Sequence, residues 1–185
     1  MCPAWRRRSY PVFSGAMRRS LLTVLLAVLA CGAAEAKMLG PGDPFPAWEL
    51  TAHTGARVSS RDLAGKTYLL WFYPKAQTKG CTAEGLGLKR EYPAFQQRGV
   101  EILGVSFDES KANAEFVELQ GFPFRLLSDT DRRLAVAVGA AETPSQPVAT
   151  RISYLVGPDG RVLKAYPNVD PEKHASQVLS DLPQR

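Results

Sequence analysis

The sequence predicts an α/β protein: a central mixed sheet flanked by helices, with a small β-hairpin extension at its N-terminal end. Three observations predict it. Strand-type and helix-type segments alternate along the chain. Two near-continuous apolar runs, 67–73 and 100–106, have the length and composition of strands buried on both faces. The 185 residues, 45% apolar and 22% charged, suit one globular domain and exclude a disordered or fibrous chain.

Gly40-Pro41-Gly42-Asp43-Pro44 is an extended lead-in of chain breakers. Trp48-Glu49-Leu50 and Arg57-Val58-Ser59 flank a turn at Thr54-Gly55, which predicts the hairpin. Asp62-Leu63-Ala64-Gly65-Lys66 turns the chain into a buried central strand at Thr67-Tyr68-Leu69-Leu70-Trp71-Phe72-Tyr73. A helix is expected over 82–91, with Pro93 kinking it or starting a second piece that ends at Gly99. Val100 to Ser106 is the next buried strand, and 110–120 an amphipathic helix with Ala114, Phe116 and Val117 inward. Phe124-Arg125-Leu126-Leu127 is a short strand and Thr130 to Val138 a short helix. Ile152 to Val156 and Arg161 to Ala165 form a hairpin across Gly157-Pro158-Asp159-Gly160, whose Pro-Asp-Gly is a strong turn signal. Pro171 opens a last helix to about Leu182.

The formal net charge of +5 suggests an acidic partner such as nucleic acid. The N-terminal segment explains it instead. Met17-Arg18-Arg19-Ser20 precedes an apolar stretch at 21–30 and then Cys31-Gly32-Ala33-Ala34-Glu35-Ala36. A basic start, a short apolar stretch and an Ala-x-Ala ending form the pattern of a secretory signal peptide. The stretch falls short of the roughly 20 residues that span a membrane. Residues 1–16, with Arg6-Arg7-Arg8, read as an over-long start, translation beginning at Met17 rather than Met1. A twin-arginine signal competes for that arginine run, but Tyr10 to Gly15 supplies no apolar stretch. Val28-Leu29-Ala30-Cys31 offers a second route, a lipoprotein box with Cys31 lipidated; Leu29 fits it poorly and Ala34-Glu35-Ala36 is cleaner. Either route exports the protein, to the periplasm. The expected organisation is an extension and signal over 1–36, then one domain over 37–185. Removing 1–36 takes away five arginines and Glu35, leaving 18 basic and 17 acidic residues. Nucleic acid drops out as a partner. Cys2 and Cys31 go too, so Cys81 is the one thiol that remains.

Residues 74–81 read Pro-Lys-Ala-Gln-Thr-Lys-Gly-Cys, after the carboxyl end of the central strand and leading into a helix. Ligands of open α/β sheets bind at such crevices. Cys81 falls at or just inside the helix N-terminus, where free N–H groups and the helix dipole favour an anion. Such a field lowers a thiol pKa, and the thiolate is the nucleophile. Thr78 can offer a hydroxyl to a bound oxygen, and Pro74 restricts the loop and shields it from water.

Pro74-x-x-x-Thr78-x-x-Cys81 resembles the active-site motif of the peroxiredoxins. Phe72-Tyr73-Pro74-Lys75 with Gly80-Cys81-Thr82-Ala83-Glu84 is similar to the bacterioferritin comigratory protein (thiol peroxidase) branch. The likeness runs from about Leu39 to the C-terminus, through Gly104-Val105-Ser106, Leu126-Leu127-Ser128-Asp129 and Arg151 to Val156. The resemblance implies a thioredoxin-like fold and reduction of hydrogen peroxide and organic hydroperoxides, with no metal or organic cofactor. It implies Cys81 as the peroxidatic cysteine, Thr78 as the hydroxyl that positions peroxide and Pro74 as the shield. Arg151 would be the guanidinium that holds the thiolate and polarises the O–O bond. Implied partners are a hydroperoxide and an external thiol reductant, a thioredoxin-like protein or a small thiol, acting on a monomer or homodimer.

Two positions depart from that branch. A resolving cysteine often lies five residues after the peroxidatic one, and here that residue is Leu86. With no other cysteine after Lys37, no intramolecular disulfide can form, which implies a one-cysteine mechanism. The proline common two residues before the cysteine is Lys79, a cation that either lowers the thiol pKa or stands solvated. Glu84 is expected to orient a nearby cation. His53 and His174 read as isolated surface residues, and Trp48, Trp71, Phe72 and Tyr73 as core and pocket wall. Two other functions compete: an exported disulfide oxidoreductase, which lacks its Cys-x-x-Cys here, and a non-enzymatic redox-sensing module.

Overall fold

The computed structural model describes residues 38–182. The signal-type segment 1–36, Cys31 within it, and its boundary with the domain lie outside the described residues. Seven strands and four helices follow the expected order: β1 (Glu49–Ala52), β2 (Arg57–Ser59), β3 (Thr67–Phe72), α1 (Lys79–Gln97), β4 (Val100–Ser106) and α2 (Ser110–Gln120). β5 (Arg125–Ser128), α3 (Arg133–Ala137), β6 (Ile152–Val156), β7 (Val162–Tyr166) and α4 (His174–Asp181) complete it. A single 3-10 turn, Ser60–Leu63, joins the hairpin to β3.

The strands form one mixed sheet in the order β2-β1-β5-β4-β3-β6-β7. β3, β4 and β5 run parallel at its centre, in the register Leu70 to Leu103 and Val105 to Leu127. β6 pairs antiparallel with β3, and the β1–β2 hairpin joins antiparallel to β5. Alternation along β3 divides the core. Tyr68, Leu70 and Phe72 enter one apolar cluster with Trp48, Leu134 and Tyr154. Leu69, Trp71 and Tyr73 enter the other with Cys81, Leu88, Phe116 and Val178. Thus α1, α2 and α4 cover one face and α3 the other, as the apolar runs on both sides of β3 require. Among the described residues no helix is long and apolar enough to cross a membrane.

Several element boundaries differ from the sequence reading. α1 begins at Lys79, with Thr78 as its N-cap, and runs through Pro93 to Gln97. The proline costs one ladder bond, but buried Leu88 and Phe95 hold the turns on either side of it against the sheet. On α2 the buried residues are Asn113 and Phe116, whereas Ala114 and Val117 are half-buried. α2 ends at Gly121, whose φ of +62° lets its N–H turn back onto the Val117 carbonyl at 2.7 Å. α4 starts at His174, the preceding residues forming a turn.

Gly85, on the buried face of α1, shows how closely α1 sits. A β-carbon there would meet the Phe122 ring at 2.4 Å. That ring is held between Phe116, at 4.9 Å, and Phe124, stacked at 5.2 Å. Alanine gains up to about 1 kcal/mol over glycine in a helix, but overpacking a filled core costs about 1–3 kcal/mol. Gly85→Ala is therefore expected to unfold at lower urea than the parent. A midpoint at or above the parent's would refute this packing argument.

Candidate active site

The loop 74–78 carries the chain from β3 into α1, and a polar network braces it from beneath. The Ala76 N–H donates to Asp108 Oδ2 (2.8 Å), and the Ser106 hydroxyl donates to the same oxygen (3.0 Å). Buried Asn113 takes the Tyr73 hydroxyl on Oδ1 (2.6 Å) and gives its amide to Ser128 Oγ (3.1 Å). β3, β4, β5 and α2 thereby converge on one loop. Gln77 sits at φ +63°, a conformation uncommon for a side chain of its kind. The sequence reading missed this network, although Asn113 shares a helical stripe with Phe116 and Val117.

Pro74 is half-buried at the base of the loop. Thr78 is exposed; its hydroxyl donates to the Lys75 carbonyl (3.0 Å) and keeps its capacity to accept. Cys81 is the third residue of α1, is wholly buried, and is the one cysteine among the described residues. The Thr82 N–H bonds the Thr78 carbonyl at 2.8 Å, so the N–H groups ahead of it have no helical acceptor.

Arg151 immediately precedes β6 and reaches over this first turn. Its Nη2 donates to Cys81 Sγ at 3.3 Å, while Nη1 pairs with Glu84 Oε2. One planar guanidinium thus bridges two residues on one face of α1, which a point-charge ammonium cannot do with the same geometry. Gly80 makes room for it: a β-carbon there would stand 3.1 Å from Nη2. Burial works against the Arg151 charge, but Glu84 and Cys81 outweigh it and raise its pKa.

The Glu84 side chain has no exposed surface. Burial pushes its pKa up to about 7, Arg151 pulling the other way. Lys79 and Leu86 are exposed on the outer side of α1. The two histidines depart from the surface reading. His53 is half-buried and accepts the Leu126 N–H on Nδ1 (3.2 Å). His174 is fully buried, its Nε2 3.9 Å from Glu84 Oε1. It opens α4 on the face that Ala175 and Val178 turn toward α1, a tertiary contact that no local pattern announces.

The Glu84 shift makes stability depend on pH. An acid whose folded-state pKa is raised holds its proton more tightly in the native state, so its favourable contribution is lost as pH rises. The window runs from 4.5 to about 7. Compared with Glu84→Gln, the parent is expected to lose up to about 3 kcal/mol between those limits. Urea unfolding of both proteins from pH 4 to 8 measures the difference. A gap that does not change with pH, or that moves in the parent's favour, contradicts the assignment.

Residues 41–165 match the AhpC/TSA family. Peroxiredoxin Bcp of Escherichia coli K12 is 32% identical over 147 residues, covering 77% of this chain and 94% of the relative. Peroxiredoxin Bcp of Xanthomonas campestris is 36% identical over 138 residues, covering 72% and 86%. Among solved structures, peroxidoxin BcpB of Mycobacterium tuberculosis superposes with a TM-score of 0.72 at 26% identity, over 78% of this chain and 96% of that one. A structure reporting alkyl peroxide reduction by the Xanthomonas campestris bacterioferritin comigratory protein gives 0.68 at 34% identity, over 77% and 94%. The seven-stranded sheet is accordingly thioredoxin-like, and neither disulfide exchange nor pure sensing is favoured. With its cysteine at the head of α1, the chain belongs to the AhpC/TSA family and is a peroxiredoxin of the Bcp/PrxQ kind, a thiol-dependent peroxidase.

Proposed function

We propose that Cys81 is the peroxidatic thiol and works alone, the second thiol coming from an external reductant. The observation that carries this reading is the Arg151 guanidinium on the sulfur of the one cysteine among the described residues. The Cys81 thiolate attacks one peroxide oxygen. An S–O bond forms as the O–O bond breaks, and the electron pair leaves on the other oxygen, which takes a proton and departs as water or alcohol. Cys81 becomes a sulfenic acid. An external thiol attacks that sulfur, releasing water and forming a mixed disulfide; a second thiol then frees Cys81. Two thiols are oxidised for each peroxide reduced.

Arg151 supplies fixed donors to the charge that develops on the oxygens. Thr78, at the exposed mouth of the loop, positions the peroxide, and Pro74 excludes water. Cys81 has no exposed surface, so peroxide must enter past the groups that cover it. The likeness to a relative that reduces alkyl peroxides supports organic hydroperoxides as substrates beside hydrogen peroxide. The N-terminal pattern supports export to the periplasm after removal of 1–36; the native protein is then expected to begin at Lys37. N-terminal sequencing of protein from cell fractions tests that, and intact cytosolic Met1 contradicts it.

The chain from Lys37 is expected to consume one equivalent of peroxide without reductant, and to turn over once a monothiol is added. Mass spectrometry should find one added oxygen at Cys81 after the first event. Absence of the burst, or its persistence with Cys81 alkylated, overturns the proposal.

A further inference from the structure

The interface between α1 and α4 buries two polar side chains, Glu84 and His174, that approach each other. Among the described residues Glu84 Oε1 has no hydrogen-bond partner, and neither ring nitrogen of His174 has one. Oε1 and Nε2 stand 3.9 Å apart. A buried polar atom left without a partner costs about 1–3 kcal/mol, and closing this gap to hydrogen-bond range takes about 1 Å. α4 packs near α1 here: a β-carbon on Gly87 of α1 would stand 3.8 Å from the Pro171 carbonyl, just ahead of α4, and 3.9 Å from Ala175 Cβ.

The other charged or titratable groups around His174 are already engaged. Arg151, ahead of β6, is bonded to Glu84 and to Cys81 of α1. Tyr166 of β7 meets the imidazole edge-on at 5.2 Å, and its hydroxyl donates to Asp181 Oδ2 at 3.1 Å. Asp181 also holds Lys164 at 2.7 Å. Asp170 meets His174 through its backbone carbonyl, which takes the His174 N–H at 2.9 Å.

We infer that His174 is a positioning residue of the peroxidase site: its imidazole shares a proton with the free oxygen of Glu84, which keeps the other oxygen on Arg151 and the guanidinium over Cys81. The inference rests on Cys81 being the peroxidatic thiol. A neutral imidazole has one N–H and one bare nitrogen. It donates to a carboxylate in one tautomer and accepts from a carboxylic acid in the other, without changing its own charge. Glu84 can therefore gain or lose its proton and still be held. That matters because the sulfur loses its charge on oxidation, and among the described residues Glu84 is then the anion left against Arg151. Burial supports the same picture, holding the imidazole neutral with a pKa lowered to about 4 while Glu84 titrates near neutrality.

The chain has two histidines, so nitrogen-15 labelling of imidazoles in the full chain gives two rings to resolve. The His174 nitrogens are expected to stay neutral yet exchange bare and protonated character as Glu84 titrates, and Glu84→Gln should abolish the exchange. His174→Phe, which fills the ring's space, is expected to slow oxidation of Cys81 by hydrogen peroxide at least about tenfold at pH 7, the worth of one charge-assisted hydrogen bond. It should also alter the pH profile of that rate, whereas His174→Asn, able to donate or accept, should remain within about threefold. A His174→Phe protein with the parent's rate and profile overturns the inference, as do imidazole shifts that ignore Glu84. If His174→Phe does not fold, the labelled parent and Glu84→Gln decide alone. A parent whose Cys81 does not react with peroxide would instead remove the proposed function, leaving the imidazole–carboxyl coupling measurable.

Discussion

Cys81→Ser is expected to give a folded protein that no longer reduces peroxide. The serine hydroxyl is nearly isosteric with the thiol, and it can still accept the Arg151 Nη2 bond that now ends on sulfur at 3.3 Å. The site is buried and the change small, so the stability cost should stay near 1 kcal/mol. The chemistry has no such tolerance. A thiolate is strongly nucleophilic and its sulfur gives up two electrons on becoming a sulfenic acid, whereas a serine oxygen attacking a peroxide would only exchange one O–O bond for another and reduce nothing. Peroxide consumption should fall to background, a loss of at least about a thousandfold, equivalent to about 4 kcal/mol of barrier. Near-ultraviolet circular dichroism checks that the fold survives. Turnover retained in a folded Cys81→Ser protein would end the assignment of Cys81.

What could be read in advance divides along physical lines. β3 and β4 were legible because strands buried on both faces need long apolar runs, and Thr67–Phe72 and Val100–Ser106 have them. The start of α1 was less so, because Lys79-Gly80-Cys81 show no apolar periodicity and Thr78, at the N-cap position, makes no side-chain capping bond. Pro93 looked like a break because local propensity ignores the packing of Leu88 and Phe95. Cys81 and the loop before it were legible from their place after a buried strand. Arg151, seventy residues further along, emerged only through resemblance to a family, since nothing around it in sequence marks it as a partner of Cys81. The Asn113 network and the burial of His174 belong to contacts between elements, and a single sequence does not display those.

Arg151 gives the second large effect, and two substitutions separate its charge from its shape. Arg151→Lys keeps the positive charge but replaces a planar fork with a single rotating ammonium. It cannot reproduce one nitrogen on Cys81 Sγ and another on Glu84 at the same time. Losing one of those charge-assisted bonds is worth about 1.5–3 kcal/mol, so the rate constant for peroxide should fall about tenfold to a hundredfold. Arg151→Met removes the donors as well as the charge. Removing a donor that stabilises developing negative charge costs about a hundredfold to a thousandfold, and the methionine protein should reach that range. It also leaves the buried Glu84 carboxylate without its cation, and the group responds by keeping its proton to higher pH. The methionine protein should therefore show its pH-dependent loss of stability displaced upward from the window of 4.5 to about 7. Stopped-flow oxidation followed by tryptophan fluorescence measures the rates, and urea unfolding across pH measures the displacement. A methionine variant that is folded and as fast as the parent would reduce Arg151 to a structural tie between α1 and β6. A lysine variant as slow as methionine would assign the effect to the forked geometry rather than to charge.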